Sequence, residues 1–145
     1  MITAIILSKD KAPQLHLLLE SLQRNSGNLF EIKVIYEATN QVFEEGYEKT
    51  KEEFFHKDRY GLNFPIRWFQ RRNENLSLDM LDALSPSRDL TCVFNDENIM
   101  FDVPSSYKKI MELFRTNAIS SLSLRLGNNT VIQNPYDPNN YFINK

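Results

Sequence analysis

The chain has 145 residues, of which 41% are hydrophobic and 25% are charged, a composition typical of one folded domain rather than of a disordered segment. The formal net charge is -2, and the basic pair Arg71-Arg72 is too small a cluster to indicate nucleic-acid binding. No apolar run approaches the ~20 residues of a membrane span, and the N-terminus has no signal-peptide pattern. We therefore expect a cytoplasmic protein that neither spans a membrane nor binds nucleic acid.

The first half of the chain alternates short apolar runs with helical patterns. Residues 3–7, Thr-Ala-Ile-Ile-Leu, predict a strand buried on both faces of a parallel sheet. A helix follows, with Asp10 as its cap, Pro13 in its first turn and Gly27 at its stop. Residues 32–36 predict a second strand. The first helix of this half carries an apolar stripe of Leu15, Leu18, Leu19 and Leu22, and the second carries Phe43, Tyr47, Thr50 and Phe54 on one face.

The second half continues the alternation. Residues 66–69 predict a third strand, residues 77–84 a short helix, and residues 90–94 a buried fourth strand that contains the single cysteine, Cys92, as a small hydrophobe. A further amphipathic helix carries Tyr107, Ile110, Met111 and Phe114 on one face. Residues 121–126 alternate as a half-buried fifth strand does, and the turn-rich tail after residue 133 predicts no clear element.

Strands that alternate with helices predict a mostly parallel sheet with helices on both faces. We therefore expect a Rossmann-like α/β fold, with residues 1–145 forming a single domain. Ligands of such open sheets bind at the carboxyl ends of the strands. Polar residues follow three of the predicted strands, in the segments Ser8-Lys9-Asp10, Glu37-Ala38-Thr39 and Asn95-Asp96-Glu97-Asn98.

These polar strand ends can form one crevice, and each allows two interpretations. Asp96 and Glu97 offer carboxylate oxygens that suit Mg²⁺ or Mn²⁺ and a bound phosphate, or they form only a solvated acidic turn. Glu37 could hydrogen-bond a ribose hydroxyl or a base N–H, or it could simply begin the next helix. Arg71 could bind phosphate through its guanidinium fork, or it could lie on a solvated face. Lys9 and Lys11 are, on the simpler interpretation, ordinary exposed lysines.

Several function classes lack their motifs. The chain has four glycines, and none of them forms the phosphate loop of a dinucleotide enzyme or of a P-loop NTPase. The sequence has no G-x-S-x-G elbow, and Cys92 lies within a predicted strand rather than at its end. A covalent hydrolase is therefore not indicated.

The order of the segments resembles that of family 2 glycosyltransferases, which have the type-A fold and bind nucleotide sugars. TAIILSKDKAPQLHLLLESL resembles the opening strand and helix of that family, and IKVIYEATN resembles its second strand. VFNDENIMF resembles the segment that carries the family's D-x-D-type metal motif, and SLSLRLGNN resembles the strand that follows it. The resemblance covers nearly the whole chain.

This resemblance implies a nucleotide-diphosphate sugar as ligand, Mn²⁺ or Mg²⁺ as cofactor, and a saccharide or other hydroxyl compound as acceptor. Together with the strand-end analysis it assigns the nucleotide-sugar site to Leu7, Ser8, Lys9, Glu37, Arg71, Asn95 and Asp96. The metal ligands are assigned to Asp96, Glu97 and Asn98.

The chain departs from this family in two ways. Its acidic motif is Asn-Asp-Glu-Asn instead of Asp-x-Asp, and it stops at Lys145, before the acceptor-binding half that supplies a catalytic base. The catalytic residue is therefore unknown, and apolar surface left exposed by a missing half would favour a homodimer. The alternatives are a non-catalytic, flavodoxin-like α/β signalling or interaction module, and a structural domain that has lost its ligand.

Overall fold

A computed structural model of the chain describes residues 2–26, 29–56, 66–71, 74–84, 90–100, 107–116, 131–134 and 137–143. The chain divides into two compact units, Met1–Tyr107 and Lys108–Lys145. The prediction that residues 1–145 act as a single domain stays a prediction. In the described part of the chain, no helix is both long enough and apolar enough to cross a membrane.

The first unit is an α/β domain built on a four-stranded parallel sheet. Its helices are α1 (Ala12–Asn25), α2 (Gln41–His56) and α3 (Leu76–Leu84). Its strands are β1 (Ile2–Lys9), β2 (Phe30–Glu37), β3 (Ile66–Gln70) and β4 (Thr91–Asn95). The strand order is β3-β2-β1-β4, and every neighbouring pair is parallel. This is the order of the first four strands of a Rossmann sheet, so the predicted Rossmann-like α/β fold is confirmed.

Helices cover both faces of the sheet. Successive side chains of a strand point to opposite faces, so Ile35 and Tyr36 mark the two faces of β2. On one face the Tyr36 ring contacts Tyr47 of α2, with the ring centroids 4.6 Å apart, and α1 packs against α2. On the other face Ile5 and Ile35 form an apolar cluster with Ala83 of α3. The predicted burial of β1 on both faces is confirmed, because the side chains of residues 4–6 are fully buried.

Strand β4 differs from its prediction as a buried strand. It lies at the outer position of the described sheet, where β1 is its neighbour, and its side chains alternate between exposed and half-buried. The Val93 side chain is 52% exposed, and Cys92 is half-buried. An apolar run indicates that a strand can be buried, but the position of that strand in the sheet decides how much of its surface is buried.

The start of α1 also differs from its prediction. Lys11, not Asp10, is the N-cap residue, and no side chain caps the helix. Asp10 adopts a left-handed backbone conformation with φ of 57°, which few residues other than glycine adopt. Its carboxylate accepts hydrogen bonds from the backbone N–H and the hydroxyl of Thr39 instead, at 2.7 and 2.9 Å. Pro13 lies in the first turn as predicted, whereas Gly27 lies outside the described residues.

Helix α4 (Tyr107–Thr116) was predicted, and it is followed by two antiparallel strands, β5 (Val131–Asn134) and β6 (Asp137–Ile143). The prediction that the tail has no element is wrong. Strand pairing depends on backbone hydrogen bonds, and an antiparallel partner can supply them even to a segment rich in turn-forming residues. The predicted fifth strand, residues 121–126, lies outside the described residues.

Candidate functional site

A cleft of about 600 Å³ lies at the carboxyl ends of β1, β2 and β4. Here the chain leaves β1 toward one neighbour, β2, while the strand on its other side, β4, comes later in the sequence. Such a switch point is where open α/β sheets bind their ligands. Glu97 and all the residues predicted for the nucleotide-sugar site line this cleft, namely Leu7, Ser8, Lys9, Glu37, Arg71, Asn95 and Asp96.

Glu37 lies at the end of β2, between two cations. One carboxylate oxygen accepts a hydrogen bond from the Lys9 ammonium at 2.8 Å, and the other pairs with the Arg71 guanidinium. The hydrogen bond from Lys9 holds the pKa of Glu37 below its ordinary value, and Arg71 adds to this effect. Because α2 begins only at Gln41, the simpler interpretation that Glu37 begins this helix is wrong.

Arg71 follows β3 and is held in place by several contacts. Besides its ion pair with Glu37, it donates a hydrogen bond to the carbonyl oxygen of Glu74 at 2.8 Å. Its Nε also lies 3.7 Å from the carboxylate of Asp79, a buried residue of α3. The side chain of Arg71 is 25% exposed, so the guanidinium lies at the wall of the cleft and not on an open solvated face.

Asp96 and Glu97 follow β4 and differ in their surroundings. Asp96 is buried, and one of its carboxylate oxygens lies 3.3 Å from the backbone N–H of Lys9, which donates to it. Glu97 is exposed, and its carboxylate pairs with the Lys11 ammonium. This pairing lowers the pKa of Glu97 and raises that of Lys11. The segment after β4 is therefore a turn, as the simpler interpretation predicted, but one of its two acids, Asp96, is buried.

Asn98 does not line the cleft, although it was predicted as a metal ligand. Its side-chain oxygen accepts a hydrogen bond from the backbone N–H of Asn95 at 2.9 Å, and its own N–H bonds to the carbonyl oxygen of Asn95 at 3.0 Å. These contacts close the turn after β4, a common role for asparagine. Asn98 therefore shapes the segment that carries Asp96 and Glu97, and its metal-ligand role stays a prediction.

Asp10 lines the cleft with the polar strand end to which it was assigned, whereas two features were not predicted: that Lys11 lines the cleft, and that Tyr47 supports its edge. The Tyr47 ring is fully buried, and its hydroxyl lies 2.7 Å from that of Ser8. The same hydroxyl accepts a hydrogen bond from the backbone N–H of Lys11 at 3.2 Å, and burial raises the pKa of Tyr47. Helical spacing indicated only that Tyr47 faces the core. The sequence offered one signal for this role: a tyrosine on a core-facing position, whose buried hydroxyl usually forms a hydrogen bond.

The charges at the cleft nearly balance. Four carboxylates line it, those of Asp10, Glu37, Asp96 and Glu97. Three cations also line it, those of Lys9, Lys11 and Arg71, so the cleft has one excess negative charge. Carboxylates on consecutive residues are suitable oxygen donors for Mg²⁺ or Mn²⁺. Among the described residues, however, no group of three His, Cys, Asp or Glu side chains is arranged to hold a metal ion. The metal site therefore stays a prediction.

No protein-family model, curated protein or solved structure matches this chain. The structure establishes the architecture, which is an α/β domain with a four-stranded parallel sheet of order β3-β2-β1-β4. The resemblance to family 2 glycosyltransferases stays a prediction from the sequence.

Proposed function

We propose that this domain binds a nucleotide-diphosphate sugar in the cleft at the carboxyl ends of β1, β2 and β4. One observation carries the proposal: residues at the ends of β1, β2 and β4, together with Arg71 after β3, line a single cleft at the switch point of a parallel sheet, with both cations and carboxylates. Cations suit phosphate oxygens, and carboxylates suit sugar hydroxyls, base N–H groups and metal ions.

The phosphates would bind near the start of α1. This helix begins at Ala12 without a side-chain cap, and its dipole and the N–H groups of its first turn, apart from Pro13 which has none, would favour an anion. Lys9 and Arg71 lie at the same cleft, where both now pair with the Glu37 carboxylate. A diphosphate would take over part of this pairing, which leaves the Glu37 carboxylate available for a ribose hydroxyl or a base N–H.

A divalent ion would enter with the diphosphate. A cleft with one excess negative charge repels a polyanion, and Mg²⁺ or Mn²⁺ bound at Asp96 and Glu97 would reverse that balance. When bound, such an ion stabilises charge on a departing nucleoside diphosphate. In the proposed transfer the sugar passes to a saccharide or other hydroxyl acceptor. No residue of the chain is assigned as the catalytic base.

Thermal unfolding with nucleotide sugars tests this function. A ligand that binds only the folded protein raises its melting temperature. We expect UDP-, GDP- or dTDP-sugars to raise it, more strongly with Mn²⁺ than with EDTA. The double variant Asp96→Asn with Glu97→Gln should lose the metal-dependent part of the shift. The matched control, Glu45→Gln with Glu52→Gln, removes the same charge from exposed positions on α2 and should keep it. The absence of any shift with all three sugars would contradict the proposal.

A non-catalytic interaction module is the second candidate, and two observations favour it. The acids of the cleft already have partners within the protein: Glu37 pairs with Lys9 and Arg71, and Glu97 pairs with Lys11. Helix α3 also exposes two large apolar side chains, Leu78 at 49% and Leu81 at 59%. If this candidate is right, nucleotide sugars will not change the melting temperature, and cleft variants will change stability alone.

A further inference from the structure

We propose that Arg71 couples the cleft to the first turn of helix α3, so that loss of its bond to Glu37 loosens this turn while the last turn of the helix keeps its contacts. The coupling is a property of the protein without any ligand. Only its consequence rests on the function proposed above: a ligand that engages Glu37 or Arg71 would change the stability of the first turn of α3.

The guanidinium of Arg71 joins two elements of the fold. Its Nη1 pairs with the Glu37 carboxylate at the end of β2. Its Nη2 donates a hydrogen bond to the carbonyl oxygen of Glu74, before α3, at 2.8 Å. Its Nε lies 3.7 Å from the carboxylate of Asp79 in the first turn of the helix. Because separate nitrogens make the three contacts, all of them can form at once.

These contacts should strengthen one another. The backbone N–H of Arg71 donates to the carbonyl oxygen of Tyr36 at 2.8 Å, so the side chain extends from a fixed point beside β2. Ordering an arginine side chain costs conformational entropy, and a guanidinium that one partner already holds loses less of it to the next partner. Loss of Glu37 as a partner therefore weakens the contacts of Arg71 with Glu74 and Asp79.

A cation also holds the other end of α3. Lys33, a buried residue of β2, donates to the carbonyl oxygen of Ala83 at 2.6 Å, at the end where the helix dipole favours positive charge. Lys33 is not among the residues that line the cleft, whereas Arg71 and Leu76, the first residue of α3, are. A change in the cleft therefore acts on the first turn of the helix and leaves the contact of Lys33 intact.

A second ion pair of the same sheet provides the matched control. The Glu31 carboxylate of β2 lies 3.3 Å from the Arg67 guanidinium of β3. Side chains alternate along a strand, so Glu31 and Glu37 point to the same face of the sheet. Neither Glu31 nor Arg67 lines the cleft. Glu31→Gln therefore removes one carboxylate from the same strand and the same face as Glu37→Gln does, without acting on Arg71.

Amide hydrogen exchange in the ligand-free protein, measured for each residue by NMR, tests the coupling. Two N–H groups report on the first turn of α3. That of Ser77 donates to the side-chain oxygen of Asn75 at 2.9 Å, and that of Leu78 donates to the carbonyl oxygen of Asn75 at 3.1 Å. The N–H groups of Ala83 and Leu84 report on the last turn. Local opening of a turn raises the exchange rates of its own amides.

The two glutamate variants should differ in this measurement. We expect Glu37→Gln to raise the exchange rates at Ser77 and Leu78 by about fivefold or more, the lower end of the usual coupling between sites. The rates in the last turn of α3 should stay unchanged. Glu31→Gln should change the rates in neither turn.

Variants of Arg71 show whether its guanidinium carries the effect. Arg71→Met removes the contacts with α3, so exchange in the first turn should rise, and Glu37→Gln should add nothing in this background. Arg71→Lys keeps the charge but lacks the planar fork, and it should behave as Arg71→Met does. Arg71→Lys also serves as the background if far-UV circular dichroism shows that Arg71→Met does not fold.

The outcomes separate the coupling from the proposed function. Unchanged exchange at Ser77 and Leu78 in Glu37→Gln overturns the inference, even if nucleotide sugars bind. The inference is also overturned if Glu37→Gln has the same effect without Arg71, if Glu31→Gln has an equal effect, or if the last turn loosens as much as the first. Faster exchange that is confined to the first turn and requires Arg71 supports the inference, whether or not a nucleotide sugar raises the melting temperature.

Discussion

Strands β1 and β4 are neighbours in one sheet, and both are short apolar segments, yet the protein uses them differently. In β1 the side chains of residues 4–6 are fully buried, because β2 and β4 pair with it on either side and helices cover both faces. In β4 the burial alternates, and the Val93 side chain is 52% exposed. Local composition is similar in the two strands, so position in the strand order makes the difference.

The same contrast holds at the carboxyl ends of these strands. The end of β1 is anchored: Ser8 bonds to Tyr47, and Asp10 bonds to Thr39. The end of β4 is a turn whose Glu97 is 67% exposed and pairs with a flexible lysine. The anchored end of β1 and the exposed turn after β4 are therefore neighbours that line the same cleft.

Truncation of one side chain in each strand tests the difference between β1 and β4 most directly. Ile6→Ala removes a fully buried side chain from β1 and should lower the free energy of unfolding by about 2–5 kcal/mol. Val93→Ala in β4 should lower it by about 1 kcal/mol or less, because half of this side chain already contacts water. Urea unfolding measures both values. A loss for Val93→Ala as large as that for Ile6→Ala would contradict the proposed difference between the strands.

Loss of the Tyr47 hydroxyl at the end of β1 should have the next largest effect on the free energy of unfolding. Tyr47→Phe removes the hydroxyl that bonds to Ser8 and to the backbone N–H of Lys11. Both partners are then left without this contact, so we expect a loss of about 1–3 kcal/mol in the free energy of unfolding. Ser8→Ala and the double variant complete a cycle that isolates the contact. Additive losses would show that the two hydroxyls do not stabilise each other.

The dependence of stability on pH distinguishes Glu37 from Glu97. Both pKa values are lowered by cations, so each ionised carboxylate stabilises the fold above its ordinary pKa of 4.5, and this contribution is lost as the pH falls below that value. Glu37 has two cations and is 29% exposed, whereas Glu97 has one and is 67% exposed. We expect Glu37→Gln to reduce the acid sensitivity of the urea midpoint more than Glu97→Gln does. Titrations between about pH 6 and about pH 3 measure this difference.

Alkylation of Cys92 tests the burial of β4 without any substitution. Burial raises the pKa of its thiol to about 12, so almost no thiolate is present near neutral pH. Iodoacetamide at about pH 8 should therefore modify the folded protein at least about 100-fold more slowly than the urea-unfolded protein, where the thiol has its ordinary pKa. Mass spectrometry follows the reaction. Comparable rates in the two states would indicate that β4 opens readily, and the contrast with β1 would then be one of dynamics as well as exposure.

Much of the site could be predicted because it depends on strand ends. Polar residues directly after apolar runs identified Ser8, Glu37 and Asp96, and parallel topology brings such positions to one edge of the sheet. The partners within the cleft could not be predicted, because Lys11 and Glu97 are 86 residues apart and Lys9 and Glu37 are 28 apart. Side chains at such separations meet only after the strands have taken their order.

The alternation of strands and helices and the polar character of the strand ends follow from local sequence, because periodicity and turn chemistry act over a few residues. The strand order, the pairing of acids with cations and the pair of strands in the tail became known only from the folded structure. These features depend on contacts between distant segments. Burial and ion pairing are properties of the assembled sheet, and short runs of residues do not encode them alone.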